Sequence, residues 1–215
     1  MRVRVARTYD NSARAQAAQR TRAGIVATAQ ELLLDGGYAA MTVASLAAAA
    51  GVSPQTVYNS VGGKAAVVKA VYDQMMAGDD AEDAMSGRPE FRALFEVADR
   101  PAFAHAYAGW VRLLSGRVGP LLGALLAYGT DATLADLVAT IEQERYVGTT
   151  HAITGLRDRI GLPDQHAGEQ GLTRLIDAVW TLNSPDCYDR LVRRRGWSPE
   201  EYEAWLAGQL VALLG

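Results

Sequence analysis

Apolar side chains recur at helical spacing along almost the whole chain. Ile25, Ala29, Leu32 and Leu33 fall three or four apart and predict an amphipathic helix over about 16–35. Gly36-Gly37 closes it, because glycine takes the left-handed position past a helix end without strain. Thr42 is placed to cap a short helix over 43–50, and Gly51 stops that helix. Ser53 is the next cap, with Pro54 at the favoured first helical position. Gly62-Gly63 ends this third helix, and the pattern resumes from Lys64 to Ala77. Residues 78–90 are acidic, polar and aperiodic, which marks a connection. Beyond them helices are predicted at 89–97, 101–127 (broken at Gly119-Pro120), 132–160, 167–182, 186–194 and 198–214. Ser198-Pro199-Glu200-Glu201 opens the last with a cap, a proline at the first position and a glutamate in capping-box register.

Runs of alternating β-branched residues are missing, so the fold class expected is all-α. Two domains are expected: 1–77, holding a basic arm and three-helix head, and 78–215, an all-helical body. Charge sharpens that division. The chain has a net charge of −3, but residues 1–77 hold eight Lys/Arg against four Asp/Glu, and residues 78–215 thirteen against twenty. A basic head on an acidic body points to a polyanion that meets only the head. Residues 1–15, with Arg2, Arg4, Arg7 and Arg14, read as a flexible arm able to touch phosphate or the minor groove.

Composition excludes several classes. No apolar run approaches the ~20 residues that span a bilayer, so no membrane partner is expected. The Arg-rich start lacks a following apolar stretch and cleavage site, so a secretory signal is not expected either. Cys187 is the single cysteine, which rules out a disulfide framework and fits a reducing cytoplasm. His105, His151 and His166 lack metal-ligand spacing, and Cys187 has no evident base partner. The chain is therefore not expected to be an enzyme, to bind a metal or to need a cofactor.

Residues 43–61 carry the sharpest signal. Two short helices crossing a tight turn need a small residue for close approach, a glycine in the turn and an apolar plug on the second helix. Ala47, Gly51 and Val57 meet those needs, and Leu46, Ala50 and Val52 supply the remaining contacts. The pattern alone fits either an ordinary helical hairpin or a DNA-binding helix-turn-helix. With Val57 inward, Gln55, Thr56 and Asn59 can face out. Gln and Asn suit bidentate contact with adenine, and Thr can place a methyl near thymine. Thr42 and Ser53 sit where backbone amides at helix starts favour an anion.

The string Gly37-Tyr38-x-x-Met41-Thr42-Val43-x-x-Leu46-Ala47-x-x-Ala50-Gly51-Val52-Ser53-x-x-Thr56-Val57-Tyr58-x-x-Val61-x-x-Lys64 resembles the DNA-binding signature of the TetR family of bacterial transcriptional regulators. The resemblance covers roughly 21–77. Val61 departs from it, standing where the family usually has Phe. The resemblance implies phosphate-binding roles for Tyr58 and Lys64, and a body that holds an effector pocket and dimerises through its terminal helices.

In the body, Phe103, Tyr107, Trp110 and Leu114 share a stripe, and Tyr128 and Trp180 add aromatic area. Such residues serve a core or line a small-molecule site. Arg145 falls on the apolar face of Leu134, Leu137, Val138, Ile141, Gly148, Ala152 and Leu156. A buried guanidinium needs a counter-group, either a ligand carboxylate or neighbouring Glu142. Tyr107, Trp110, Tyr128, Arg145 and Trp180 are thus the candidate ligand residues. Leu172, Leu175, Ile176 and Val179 on one helix, with Tyr202, Trp205, Leu206, Leu210 and Leu213 on the last, are the expected homodimer interface.

The function expected is a homodimeric repressor that binds a palindromic double-stranded operator and answers to a small-molecule effector. A DNA binder without effector control is the second reading. An all-helical binding protein or enzyme without DNA binding is the third.

Overall fold

The computed structural model describes residues 8–78, 87–126 and 132–215, and every regular element among them is a helix. The order is α1 (Thr8–Ala40), α2 (Val43–Ala49), α3 (Pro54–Ser60), α4 (Lys64–Ala77), α5 (Pro89–Ala93), α6 (Arg100–Leu126), α7 (Ala132–Arg159), α8 (Asp164–Ala167), α9 (Glu169–Leu182), α10 (Pro185–Tyr188), a π-helical turn (Asp189–Arg194) and α11 (Pro199–Leu214). The arginines Arg2, Arg4 and Arg7 and the aromatic Tyr128 lie outside the described residues.

The chain divides into two compact units, 1–74 with 124–134 and 75–123 with 135–215. In the first, Ile25, Val26, Ala29 and Leu33 from α1 meet a core completed by Leu46, Ala47, Val57, Val67, Val68 and Val71, all nearly or fully buried. The helix starts earlier than its apolar pattern: it runs from Thr8, so residues 8–15 are helical where an arm is expected. Ala-rich sequence around Arg14 explains this, because alanine favours helix without needing an apolar face. The expected stop at Gly36-Gly37 appears as a break at Gly37, with φ 73°, before a last turn to Ala40.

The second unit has its core on α6, α7, α9 and α11, with Phe103, Tyr107, Ile153, Leu156, Leu175, Val179, Tyr202 and Leu206 buried together. A salt bridge from Arg112 to Glu203 joins α6 to α11. In place of the break expected at Gly119-Pro120, α6 continues through the proline. The proline is exposed, and so is Gly116, whose carbonyl loses its helical donor. Arg193 donates to the neighbouring Gly119 carbonyl at 2.9 Å. The last helix starts as the sequence predicts: Ser198 accepts from the Glu201 amide while Glu201 accepts from the Ser198 amide.

Candidate nucleic-acid interface

The first unit builds its site from two caps and a glycine. The Thr42 hydroxyl accepts from the Ser45 amide at 3.0 Å, and the Ser45 hydroxyl accepts from the Thr42 amide at 2.9 Å. This reciprocal box starts α2. Gly51 then turns the chain with φ 66°. A β-carbon there would touch nothing, so the backbone angle alone calls for glycine. The Val52 amide bonds back to the Ala47 carbonyl at 3.0 Å and tightens the turn. Ser53 caps α3 by accepting from the Thr56 amide at 3.0 Å, and Pro54 follows.

Leu46, Ala47 and Val57 are buried at 1%, 1% and 0% exposure, as the helix-turn-helix register requires. With Val57 inward, Gln55, Tyr58 and Asn59 lie on the exposed side of α3. The Gln55 amide donates to the Asn59 side-chain carbonyl at 2.9 Å, one turn apart. Tyr58 is 54% exposed. Thr56 differs from its expected outward position: it is half-buried, and its hydroxyl lies 2.8 Å from that of Ser53. Lys64 starts α4 and sets its ammonium 3.8 Å from the centre of the Tyr38 ring. Val61 is half-buried and ends α3, its amide bonded to the Val57 carbonyl.

One contact had no sequence signal. Arg22 donates to the Ser60 carbonyl at 2.7 Å, placing a cation on the C-terminal end of α3, where the helix dipole favours it. The two residues are far apart in the chain, and no local pattern links them.

In the second unit the candidate ligand residues divide. Trp110 packs edge-on against Phe91 in the core. Tyr107, Arg145 and Trp180 come together around Asn183, a residue that no sequence pattern singles out. Arg145 bonds Glu142, the Trp180 carbonyl at 3.0 Å and the Asn183 side-chain carbonyl at 2.7 Å. The Asn183 amide in turn donates to the Tyr107 hydroxyl at 2.8 Å and to Thr149 at 3.0 Å. Arg145 thus has protein partners, including the expected Glu142, and it binds the C-terminal end of α9. Burial raises the Tyr107 pKa above the ordinary tyrosine value. Nearby Tyr202 is fully buried, and its hydroxyl and the Trp180 indole N–H lack hydrogen-bond partners among the described residues.

The residues expected at a dimer interface are placed differently from the expectation. Leu175, Ile176, Val179, Tyr202, Leu206 and Leu210 are all buried within the single chain. The apolar faces of α9 and α11 are therefore used inside the second unit. Only Leu172, Trp205 and Leu213 remain half-exposed.

Two short helices held across a glycine turn, the second offering polar side chains outward, define a helix-turn-helix DNA-binding domain. Residues 25–71 match the family model described as "Bacterial regulatory proteins, tetR family". The fold is similar to that of a Clostridium perfringens protein described as a fatty acid metabolism regulator. That likeness has a TM-score of 0.51 at 13% identity, over 89% of this chain and 98% of that one. No curated protein matches the sequence. Residues 25–71 thus carry the type of DNA-binding domain that this family model describes. No helix among the described residues is long and apolar enough to cross a membrane.

Proposed function

We propose that the protein is an effector-responsive repressor that binds a near-palindromic operator as a homodimer, with residues 1–77 as the DNA-binding head and 78–215 as the effector-binding and dimerising body. The exposed Gln55–Asn59 pair on α3, with Val57 behind it, carries the reading. These two amides read base edges in the major groove. Tyr58, Lys64 and the capped helix starts at Thr42 and Ser53 hold phosphates and set the register. Thr56 supports Ser53 rather than reading a base.

Dimerisation uses the outward sides of α9 and α11. Ala204, Gly208 and Ala212 are exposed at four-residue spacing on α11, where small side chains let a second helix approach closely. Trp205 and Leu213 flank them. The interface is isologous, so assembly closes at two and pairs two heads with two half-sites about one helical turn apart. The effector site lies around Tyr107, Asn183, Trp180 and Tyr202, where the Trp180 indole N–H and the Tyr202 hydroxyl lack partners among the described residues. An effector acts by binding one conformation of the dimer better than the other.

Selection from a randomised duplex library tests the proposal. The expected product is a two-fold symmetric sequence, bound by a dimer. Recovery without any sequence preference would defeat it.

A further inference from the structure

Just past the end of α9, around Asn183, the second unit gathers Tyr107 from α6, Arg145 from α7, Trp180 from α9 and Tyr202 from α11. The charges at this cluster are already matched. Arg145 is paired with Glu142, and it also bonds the Trp180 carbonyl and Asn183. Arg190, which acts on neighbouring Cys187, pairs with Asp186 at 2.7 Å. Arg112, which acts on Tyr188, pairs with Glu203. Each of these cations therefore has a carboxylate of its own.

The neutral donors are not matched. Tyr202 is 0% exposed, yet its hydroxyl has no hydrogen-bond partner among the described residues. The Trp180 indole N–H is buried and lacks one too. Aromatic rings stand beside both: Tyr146 packs edge-on against Trp180, and Tyr188 and Trp205 flank Tyr202. A buried donor without a partner costs free energy that a ligand atom can recover. An indole N–H only donates, so that atom is an acceptor. An ammonium brings donors and does not answer the need. A carboxylate accepts, but it would leave water for a cluster whose guanidinium is already held by Glu142. A carbonyl or ether oxygen on an apolar body satisfies the donors without burying a charge.

We infer that the effector is an uncharged, largely apolar molecule with a hydrogen-bond-accepting oxygen, and that the Tyr202 hydroxyl and the Trp180 N–H are the donors that receive it. Arg145 serves the fold and is not the counter-ion of a ligand carboxylate. The inference rests on the effector site proposed above.

The test titrates the full-length protein calorimetrically with probes of similar size: acetophenone, ethylbenzene and benzoate. Acetophenone should bind about tenfold more tightly than benzoate, whose charge has no counter-ion there. It should bind about fivefold more tightly than ethylbenzene, which has no acceptor. Tyr202→Phe removes only an unpartnered hydroxyl. It should weaken acetophenone binding about fivefold and leave ethylbenzene binding unchanged. Trp180→Phe should shrink the preference for acetophenone over ethylbenzene by a similar factor, and it keeps the readout if Tyr202→Phe does not fold. Benzoate binding as tight as that of acetophenone overturns the inference and leaves an effector site standing. So does an unchanged preference for acetophenone in the folded variants. Failure of all three probes to bind at millimolar concentration removes the effector site from this cluster, and the inference with it.

Discussion

Arg145 and Asn183 are joined by a hydrogen bond of 2.7 Å between guanidinium and side-chain carbonyl. Through Asn183 the charge on α7 is connected to the Tyr107 hydroxyl on α6 and to the end of α9. A cation at a helix C-terminus also interacts favourably with the helix dipole. The bond therefore links three helices at one part-buried point.

Removing either partner takes a bond from the other in a part-buried network. Arg145→Met or Asn183→Leu should each cost about 1–3 kcal/mol of stability. The double variant should cost less than the sum of the two, because both remove the same bond. Urea unfolding of the three proteins measures this. Additive losses would show that the two residues act independently.

The proposed function assigns sequence reading to Gln55 on α3 and phosphate binding to Lys64 at the start of α4. Gln55→Ala should relax preference at one base position by about 1–3 kcal/mol while leaving other positions unchanged. Lys64→Ala should weaken binding to every sequence alike and reduce the salt slope. Affinity measured across a set of single-base operator variants distinguishes the two. Uniform loss in both proteins would refute the division.

Two glycines of the head differ in what they require. Gly51 has φ 66° and open space at its β-position, so Gly51→Ala should cost about 1–2 kcal/mol from backbone strain alone. Gly62 has φ 122°, and a β-carbon there would lie 2.8 Å from the Ala66 methyl. Gly62→Ala should therefore be the more damaging change. Thermal unfolding of both variants should rank them in that order.

Tyr202 carries a buried hydroxyl without a hydrogen-bond partner among the described residues. Tyr202→Phe should leave stability unchanged at neutral pH or raise it by about 1 kcal/mol. Burial raises the pKa of the Tyr202 and Tyr107 phenols above the ordinary tyrosine value of 10.0. Their contribution to stability is therefore complete below pH 10 and is lost as the pH climbs through their folded-state values. The Phe variant should lose less stability at alkaline pH than the wild type. Unfolding curves at pH 7 and above pH 10 check both points, and marked destabilisation at pH 7 would mean that the hydroxyl is used.

The outward side of α11 can be tested without disturbing the core. A side chain at Gly208 meets nothing within 4 Å in the single chain. Gly208→Glu should yield a folded monomer with much weaker operator binding. Leu206→Glu places a charge at a fully buried position and should unfold the body instead. Sedimentation and circular dichroism of both separate the outcomes, and a Gly208→Glu dimer of wild-type affinity would exclude this face.

Much of the fold is legible in the sequence because local signals agree. Thr42, Gly51, Ser53 and Pro54 each state a backbone requirement, and all meet in a few residues around one turn. Val57 then settles which side of α3 faces out. Longer-range facts are not legible in that way. The apolar spacing of Leu206 and Leu210 shows that α11 buries a face, but not whether the same chain or a second copy covers it. Arg145 shows a need for a counter-group, and Glu142 is a candidate only because it lies one turn away. Asn183 has no pattern of its own, because its bonds come from separate helices. The early start of α1 escapes a reading by periodicity, since an exposed helix has no apolar period to reveal it.

On the proposed reading, the bond between Gln55 and Asn59 bears on search along a chromosome. In the unbound protein the Gln55 amide N–H already bonds the Asn59 side-chain carbonyl, so a passing base edge must compete with an existing contact. An edge that offers only one complementary atom returns no more than is given up. Adenine, which presents an acceptor beside a donor, returns more. If the pair reads bases as proposed, such an arrangement lowers adhesion to wrong sites.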